Sequence, residues 1–533
     1  MNLLPSPRGL RPLAALLLLL LLLPTGSPAQ WQEQTGLAEL RALAGTTNVD
    51  GLGVLVTQVE AFSGDNYLPE FGTNPIAGTG NFASKTFTDL TELDSDTGAS
   101  PHARAVGDFW YGNASHVSTA PGISEIRAQL ADDYHGAGFL KPGNGGPLVE
   151  PASVQNHSWI GDGSNDLLRR FDFAVGRDGF VACVGLNNGS QTVVPDLLAS
   201  AYNAISVGLT DGNHSRGGTP GDLDGPGRTK PELVVPTDRT SWATAIMSGF
   251  ASILIQVANG APALSPATRP EVVKALLMGG ATKSALPGWS HSPSQPLDPV
   301  FGAGQANILN AYRILLAGQQ PPGPPTTPVA PLGWDLRTSD PTTPLSYTLE
   351  IPPGHYARDF SLVATWHRTI TDSQGGPRFV PEANLADINL DLFEADAAAS
   401  GSPIATSTST IDNVEHIYRA SLPAGTYTFR VTASESIDFA AAWFSTLIEL
   451  AEIPLEIVAW SWDATTNLVS LQWTAMAGRI YDVESSTDLA VWLPVSGFTS
   501  IEPTVDSPTL TATFLAPPAA DGRQFFRVAD VTP

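Results

Sequence analysis

One cysteine occurs among 533 residues, so no intrachain disulfide and no cysteine-based zinc cluster can be built. Basic residues are scarce: 27 Lys and Arg stand against 52 Asp and Glu, a formal charge of −25. A field of that sign repels phosphate backbones and anionic bilayers, which excludes nucleic acid as a partner. Only 15% of residues are charged and 42% are apolar, enough for large cores and too apolar for wholesale disorder. No Gly-x-Gly-x-x-Gly, phosphate-binding Walker loop or His-Glu-x-x-His occurs, leaving no motif for a dinucleotide, a nucleoside triphosphate or a zinc-hydrolase helix. Beyond residue 29, no apolar stretch reads as long and charge-free enough to be an integral membrane segment. The length suits two to four domains, and 50 Gly with 45 Pro suit loop-rich α/β and all-β units.

Residues 1–29 have the pattern of an export signal. Arg8 and Arg11 precede an apolar run from Leu13 to Leu23, followed by Pro24 and the small-residue site Ser27-Pro28-Ala29. The expectation is a secreted, extracellular protein. Residues 30–318 alternate helical and strand-like patterns. Thr35–Ala44 and Ile123–Leu130 have helical spacing. Gly53–Val59, Phe180–Gly185 and Ala204–Gly208 read as short buried strands, and Ser241–Val257 as a helix apolar all round. Such alternation predicts an α/β unit with a mostly parallel sheet and helices on both faces. Residues 319–332, beginning Gln-Gln-Pro-Pro-Gly-Pro-Pro, read as a proline-rich linker, from which independent folding of 30–318 follows. Beyond it, residues 333–449 and 454–533 show short strand runs punctuated by Pro and Gly. They predict two all-β sandwich domains.

Three places in the α/β unit carry chemistry. Ser241 in Thr240-Ser241-Trp242-Ala243-Thr244 opens the buried helix, where amide N–H groups favour developing negative charge; this suits a nucleophile, and equally an N-cap. His102 follows Ser100-Pro101 at a helix start and suits a general base or a structural role; His116, His135, His157 and His214 lie in the same unit. Glu60 ends an apolar strand, at the crevice where open α/β sheets build sites, or at an exposed strand edge.

Taken together and in this order, these motifs resemble the subtilisin-like serine proteases (subtilases, peptidase S8 type) over about residues 45–315. Thr240–Thr244 resembles the family's nucleophile motif, and Lys230–Pro236 the strand feeding it. Asn156-His157-Ser158-Trp159-Ile160-Gly161 resembles the substrate-binding strand, and Leu186-Asn187-Asn188-Gly189 the oxyanion-hole loop. Phe301-Gly302-Ala303-Gly304 with Ala306-Asn307 resembles the stretch closing the family's domain. Ala120-Pro121-Gly122 lies at a spacing that favours His102 over His116. The resemblance implies a catalytic triad of Glu60, His102 and Ser241 and an oxyanion donor at Asn187. It also implies a substrate cleft lined by Ser158, Trp159, Gly161, Val184, Gly185 and Leu186, taking a peptide or protein substrate as an added strand. Glu60 stands where the family carries Asp, Arg239 where it carries Gly and Ala245 where it carries Pro.

No cofactor is implied. The acidic run Asp89, Glu92, Asp94 and Asp96 suits either a structural Ca²⁺ or a solvated loop. Residues 333–449 resemble pre-peptidase C-terminal modules and 454–533 an Ig/fibronectin-like module, both offering surface or glycan contact. Two further readings stay open: a catalytically degenerate subtilase that binds peptides, and a surface- or glycan-binding protein.

Overall fold

A computed structural model describes residues 28–43, 49–91, 98–394, 401–449, 455–476, 478–503, 509–518 and 523–532. The export-signal pattern lies almost wholly outside them. The first unit contains strands β1 (Val56–Glu60), β2 (Ile76–Ala77), β3 (Thr86–Asp89), β4 (Glu125–Leu130), β5 (Val154–His157), β6 (Val181–Gly185), β7 (Ile205–Leu209), β8 (Gly217–Gly218), β9 (Thr229–Lys230) and β10 (Leu233–Val235). Its helices are α1 (Pro28–Gln34), α2 (Leu37–Ala42), α3 (Pro101–Trp110), α4 (Ala131–Asp133), α5 (Asn165–Asp178), α6 (Thr240–Asn259), α7 (Pro270–Gly279) and α8 (Ile308–Leu316).

Eight strands form one sheet in the order β10-β7-β6-β5-β1-β4-β3-β2. All pairings are parallel except β2 with β3. Helices cover both faces: α3, α6, α7 and α8 pack with Val56 in one core, and α5 packs with Val59, Ala182 and Val184 in another. A strand alternates its side chains, so Val56, Gln58 and Glu60 share the first face and Thr57 and Val59 the second. From β1 the chain goes to the β2 edge and returns inward through β3 and β4, then crosses to β5 on the other side of β1 and runs outward through β6, β7 and β10. The crevice beyond the C-terminal end of β1 is therefore a topological switch point.

Ile123–Leu130, expected as a helix, contains strand β4 instead. Ile126, Ala128 and Leu130 alternate into the core between β1 and β3. Two flanking strands decide this short run, whose apolar residues fit either period. α6 is the buried helix expected from Ser241–Val257. Contrary to the expectation of no such stretch, by length and composition it would also cross a membrane (20 residues, mean hydropathy 1.4), but 78% of it is buried inside the protein. Its polar side chains are satisfied locally: Thr244, Ser248 and Ser252 each donate to the carbonyl four residues back, at 2.7–2.9 Å. The Gly-x-Gly at 302–304 runs beside β10, where Ala303 N–H donates to Glu232 O at 2.8 Å. Gly302 has φ +59°, and a Cβ there would sit 2.3 Å from the Glu232 carbonyl.

Two antiparallel β-sandwiches follow. Strands β11 (Gly333–Thr338), β12 (Leu345–Ile351), β13 (His355–Trp366), β14 (Thr369–Asp372), β15 (Pro381–Asn384), β16 (Ile388–Glu394), β17 (Ala405–Ser407), β18 (Val414–Leu422), β19 (Gly425–Ala433) and β20 (Asp438–Glu449) build the first, from sheets β11-β20-β13-β18 and β12-β19-β16-β17 with the ribbon β14-β15. Strands β21 (Ile457–Asp463), β22 (Leu468–Thr474), β23 (Tyr481–Ser486), β24 (Leu493–Pro494), β25 (Thr509–Leu515) and β26 (Phe525–Asp530) build the second, from sheets β21-β22-β25 and β24-β23-β26.

Across the proline-rich segment the α/β unit and the first sandwich pack against each other. All ten residues of α7 are buried, and Trp334, Val363, Ala440 and Ala442 of the first sandwich belong to the same apolar cluster as α7. Trp334 Nε1 donates to Leu315 O at 3.1 Å, and Thr365 Oγ1 donates to Glu271 O at 2.7 Å. Arg368 enters the α/β unit and donates to Asp172 Oδ2 from Nη2 at 2.6 Å and from Nε at 2.9 Å. Both side chains are fully buried. Arg368→Met is expected to lower unfolding free energy by ~3–5 kcal/mol, because it leaves the Asp172 carboxylate buried without its counter-charge. Denaturant unfolding measures this, and a loss below ~1 kcal/mol would mean the pair does not hold the units together.

Candidate functional site

Three side chains meet at the C-terminal edge of the sheet. Glu60 is the last residue of β1, is 1% exposed, and accepts from His102 Nδ1 at 2.7 Å through Oε2. His102 Nε2 lies 3.0 Å from Ser241 Oγ. The local sequence sets each position. Ser100 caps α3, its Oγ accepting from Ala103 N–H at 3.1 Å, and Pro101 opens the first turn. His102 therefore sits at the helix mouth. Ser241 is the second residue of α6, and Arg239 occupies the N-cap position without a side-chain cap bond. The alternative that Ser241 is an N-cap does not hold, since its hydroxyl meets His102 instead. The first amide is satisfied from another loop: Asn188 Oδ1 accepts from Thr240 N–H at 3.1 Å.

Four of the five other histidines of the unit are engaged elsewhere or exposed, and the fifth, His291, stacks on His416 of the first sandwich. His116 is exposed. His135 lies 3.6 Å from Asp132. His157 is buried, faces Gln155 at 3.0 Å and is pushed by burial down to about 3. His214 accepts from Leu209 N–H through Nδ1 at 3.0 Å and is pushed by burial down to about 4.

Electrostatics couple the pair. Burial raises the Glu60 carboxyl above its ordinary value, while hydrogen bonds from His102 and Gln58 pull against that shift. The hydrogen bond to Glu60 raises the His102 imidazole above its ordinary value, against burial and the nearby Arg239 charge.

Of the expected cleft residues, Ser158 contacts Ser241 directly. Ser158 Oγ donates to Asn156 Oδ1 at 2.9 Å and lies 3.1 Å from the Ser241 carbonyl. Gly161 pairs with Leu197 through both main-chain groups. Gly185 ends β6, and a Cβ there would lie 3.2 Å from Thr244 Oγ1 on α6. Val184, Leu186 and Trp159, expected to line the cleft, have their side chains buried in the apolar cluster on the α5 face. The exposed apolar side chain here is Ile160, 43% exposed. Asn187 is half-buried, its N–H donating to Ser215 Oγ at 3.0 Å.

No family model matches the chain, and no curated protein matches it. Solved structures with distant similarity include fervidolysin from Fervidobacterium pennivorans, a keratinolytic enzyme related to subtilisin. It shares 15% identity over 93% of this chain and 71% of its own, with a TM-score of 0.32. Tripeptidyl peptidase 2 shares 12% identity over 76% of this chain and 49% of its own, with a TM-score of 0.28.

Several neighbours of the three side chains were not legible in the sequence. Gln58, fully buried on the same face of β1, donates from Nε2 to Glu60 Oε1 and to Ala103 O, both at 2.9 Å. Tyr111 donates to Gln58 Oε1. Trp242 stacks on the His102 ring with centroids 5.6 Å apart, and Phe109 stacks on Trp242 at 5.5 Å. The period-2 spacing of Gln58 and Glu60 was the one available signal, and it named a shared face without naming a bond.

Among the described residues, no group of three or more His, Cys, Asp or Glu could hold a metal ion. Of the acidic run proposed for Ca²⁺, Asp89 accepts from Tyr67 OH at 2.8 Å, and Glu92, Asp94 and Asp96 lie outside the described residues. Cys183 is buried in β6, and burial pushes its thiol up to about 12.

Proposed function

We propose that the protein is a secreted serine endopeptidase that cleaves peptide bonds through an acyl-enzyme. The continuous chain Glu60–His102–Ser241, with contacts of 2.7 and 3.0 Å, carries the reading. In the first half-reaction His102 Nε2 takes the hydroxyl proton as Ser241 Oγ bonds to the scissile carbonyl carbon. Glu60 holds the imidazole by Nδ1 and stabilises the imidazolium that forms. Asn187 and the Ser241 N–H at the head of α6 receive the oxyanion, a donor set in which one member is worth ~10²–10³ in kcat. His102 returns the proton to the leaving amine, and water repeats the sequence on the ester. The ends of β5 and β6, with Ser158, Gly161 and Gly185, accept the substrate main chain. Export rests on the pattern of residues 1–29.

The deciding experiment labels the full chain with a fluorophosphonate and maps the adduct. Modification of Ser241 is expected. An unlabelled, folded protein would favour a peptide-binding, non-cleaving relative, for which exposed Arg239 beside His102 is the supporting feature.

Gln58 and Tyr111 are positioning residues in this scheme. Gln58→Leu is expected to lower kcat by about tenfold with KM little changed, since Gln58 lies behind Glu60. The acid limb of kcat/KM should move to higher pH. A Glu60 carboxylate without its amide donor becomes more basic, and the Glu60–His102 pair then holds its proton to higher pH. An unchanged pH profile would make Gln58 purely structural.

A further inference from the structure

The second sandwich is open along its β21 edge. Trp460 pairs with Leu471, and Trp462 with Val469, across β21 and β22. Directly opposed residues share a sheet face, and Leu471 and Val469 are buried in the sandwich core. Both tryptophans thus stand on the inner face, yet they are 72% and 59% exposed. The partner sheet β24-β23-β26 leaves them uncovered. The gap is a cavity of about 730 Å³ whose lining includes Trp460, Trp462, Trp492, Leu489, Gln524 and Phe525. That volume is in the range of a small-ligand site, ~300–1,000 Å³.

Two of the indoles are held in place. Trp462 Nε1 donates to Asn467 Oδ1 at 3.4 Å, and Asn467 Nδ2 donates to Ala516 O at 3.2 Å. The Arg527 guanidinium lies 4.5 Å from the Trp492 ring centroid and is bonded to Glu484 at 2.5 Å. Fixed aromatic surfaces lose little freedom on binding. Among the described residues the cavity lining carries no charged side chain. Its polar equipment includes the Gln524 carboxamide, a group that both donates and accepts.

We propose that this cavity binds a neutral glycan, with pyranose rings stacked on Trp460 and Trp462. Residues two apart on one strand face stand ~7 Å apart, so the pair presents an extended aromatic platform. The electron-rich face of an indole attracts the weakly positive C–H face of a sugar ring, and sugar hydroxyls match the carboxamide. A polyanionic glycan would meet a chain of net charge −25 with no cation in the cavity lining. A second copy of the chain would bring that same charge to the contact. A purely apolar ligand would leave the carboxamide without a partner.

The test uses the full-length chain and isothermal titration calorimetry with cellohexaose, chitohexaose, xylohexaose and mannohexaose, with heparin and a proline-rich decapeptide as comparisons. At least one neutral hexasaccharide is expected to bind. The Trp460→Ala/Trp462→Ala double variant should weaken that binding at least about tenfold while melting within a few degrees of the parent, since both side chains are largely exposed. Gln524→Ala should weaken it less. Absence of binding by all four neutral sugars at millimolar concentration overturns the proposal. So does sugar binding that survives the double substitution, or binding of the decapeptide or heparin alone.

Discussion

Ser241→Ala is expected to remove turnover of peptide substrates by about 10⁶-fold, the scale seen when a triad nucleophile is deleted in a subtilisin-type site. The melting temperature should stay within a few degrees. The Ser241 hydroxyl does not cap α6, whose N-cap position is Arg239. Its contacts are His102 Nε2 at 3.0 Å and a long approach of 3.4 Å to the Ser158 carbonyl. Loss of so little structure should cost no more than ~0.5 kcal/mol. Peptide hydrolysis and thermal melting of one purified variant measure both halves. Cleavage by Ser241→Ala near the parental rate would assign the chemistry to another residue. A large fall in melting temperature would instead make the hydroxyl structural.

Glu60→Gln should cost at least ~10² in kcat. For chymotrypsin-type triads the acid-to-amide exchange costs ~10⁴, and an acid one methylene longer than Asp leaves room for a smaller effect. The amide preserves volume at a site that is 1% exposed, so the loss reports charge and tautomer. The sign of the pH effect follows from the coupling. His102 must be neutral to accept the Ser241 proton, and its bond to Glu60 raises its pKa. Without the carboxylate the imidazole titrates lower, so the acid limb of the residual kcat/KM should move to lower pH. Gln58→Leu should move that limb the opposite way, and the two variants together therefore test the direction of coupling through Glu60. Glu60→Asp should also lose activity. Glu60 Oε1 is held by Gln58 at 2.9 Å and Oε2 by His102 at 2.7 Å, and Asp would draw the carboxylate back by ~1 Å, a displacement that can cost ~10². Near-parental activity in Glu60→Gln would remove Glu60 from the mechanism. The nearest alternative acids in sequence are Asp50 and Asp65, and Asp50 is engaged with Leu52 N–H and the Gln256 amide at 3.1 Å.

Where local chemistry dominates, the sequence was sufficient. An apolar helix without a break becomes α6, and Ser-Pro-His becomes a capped helix start. Apolar runs bounded by turn residues become β6 and β7, and an apolar strand ending in Glu becomes β1. The order Glu60, His102, Ser241 names three residues without setting their distances. Tertiary structure decided what depends on partners distant in the chain. Ile123–Leu130 is a strand because β1 and β3 flank it, although its spacing fits a helix. The His102 ring is oriented by Glu60, 42 residues away, and by Trp242 on another helix. Gln58 acquires its role only because Tyr111 and Ala103 close around it. The proline-rich segment reads as a spacer, yet Arg368 beyond it enters the α/β unit to meet Asp172. Residue patterns encode burial and turns over a few positions, whereas hydrogen bonds between buried polar groups depend on ångström-scale placement by the whole packed core.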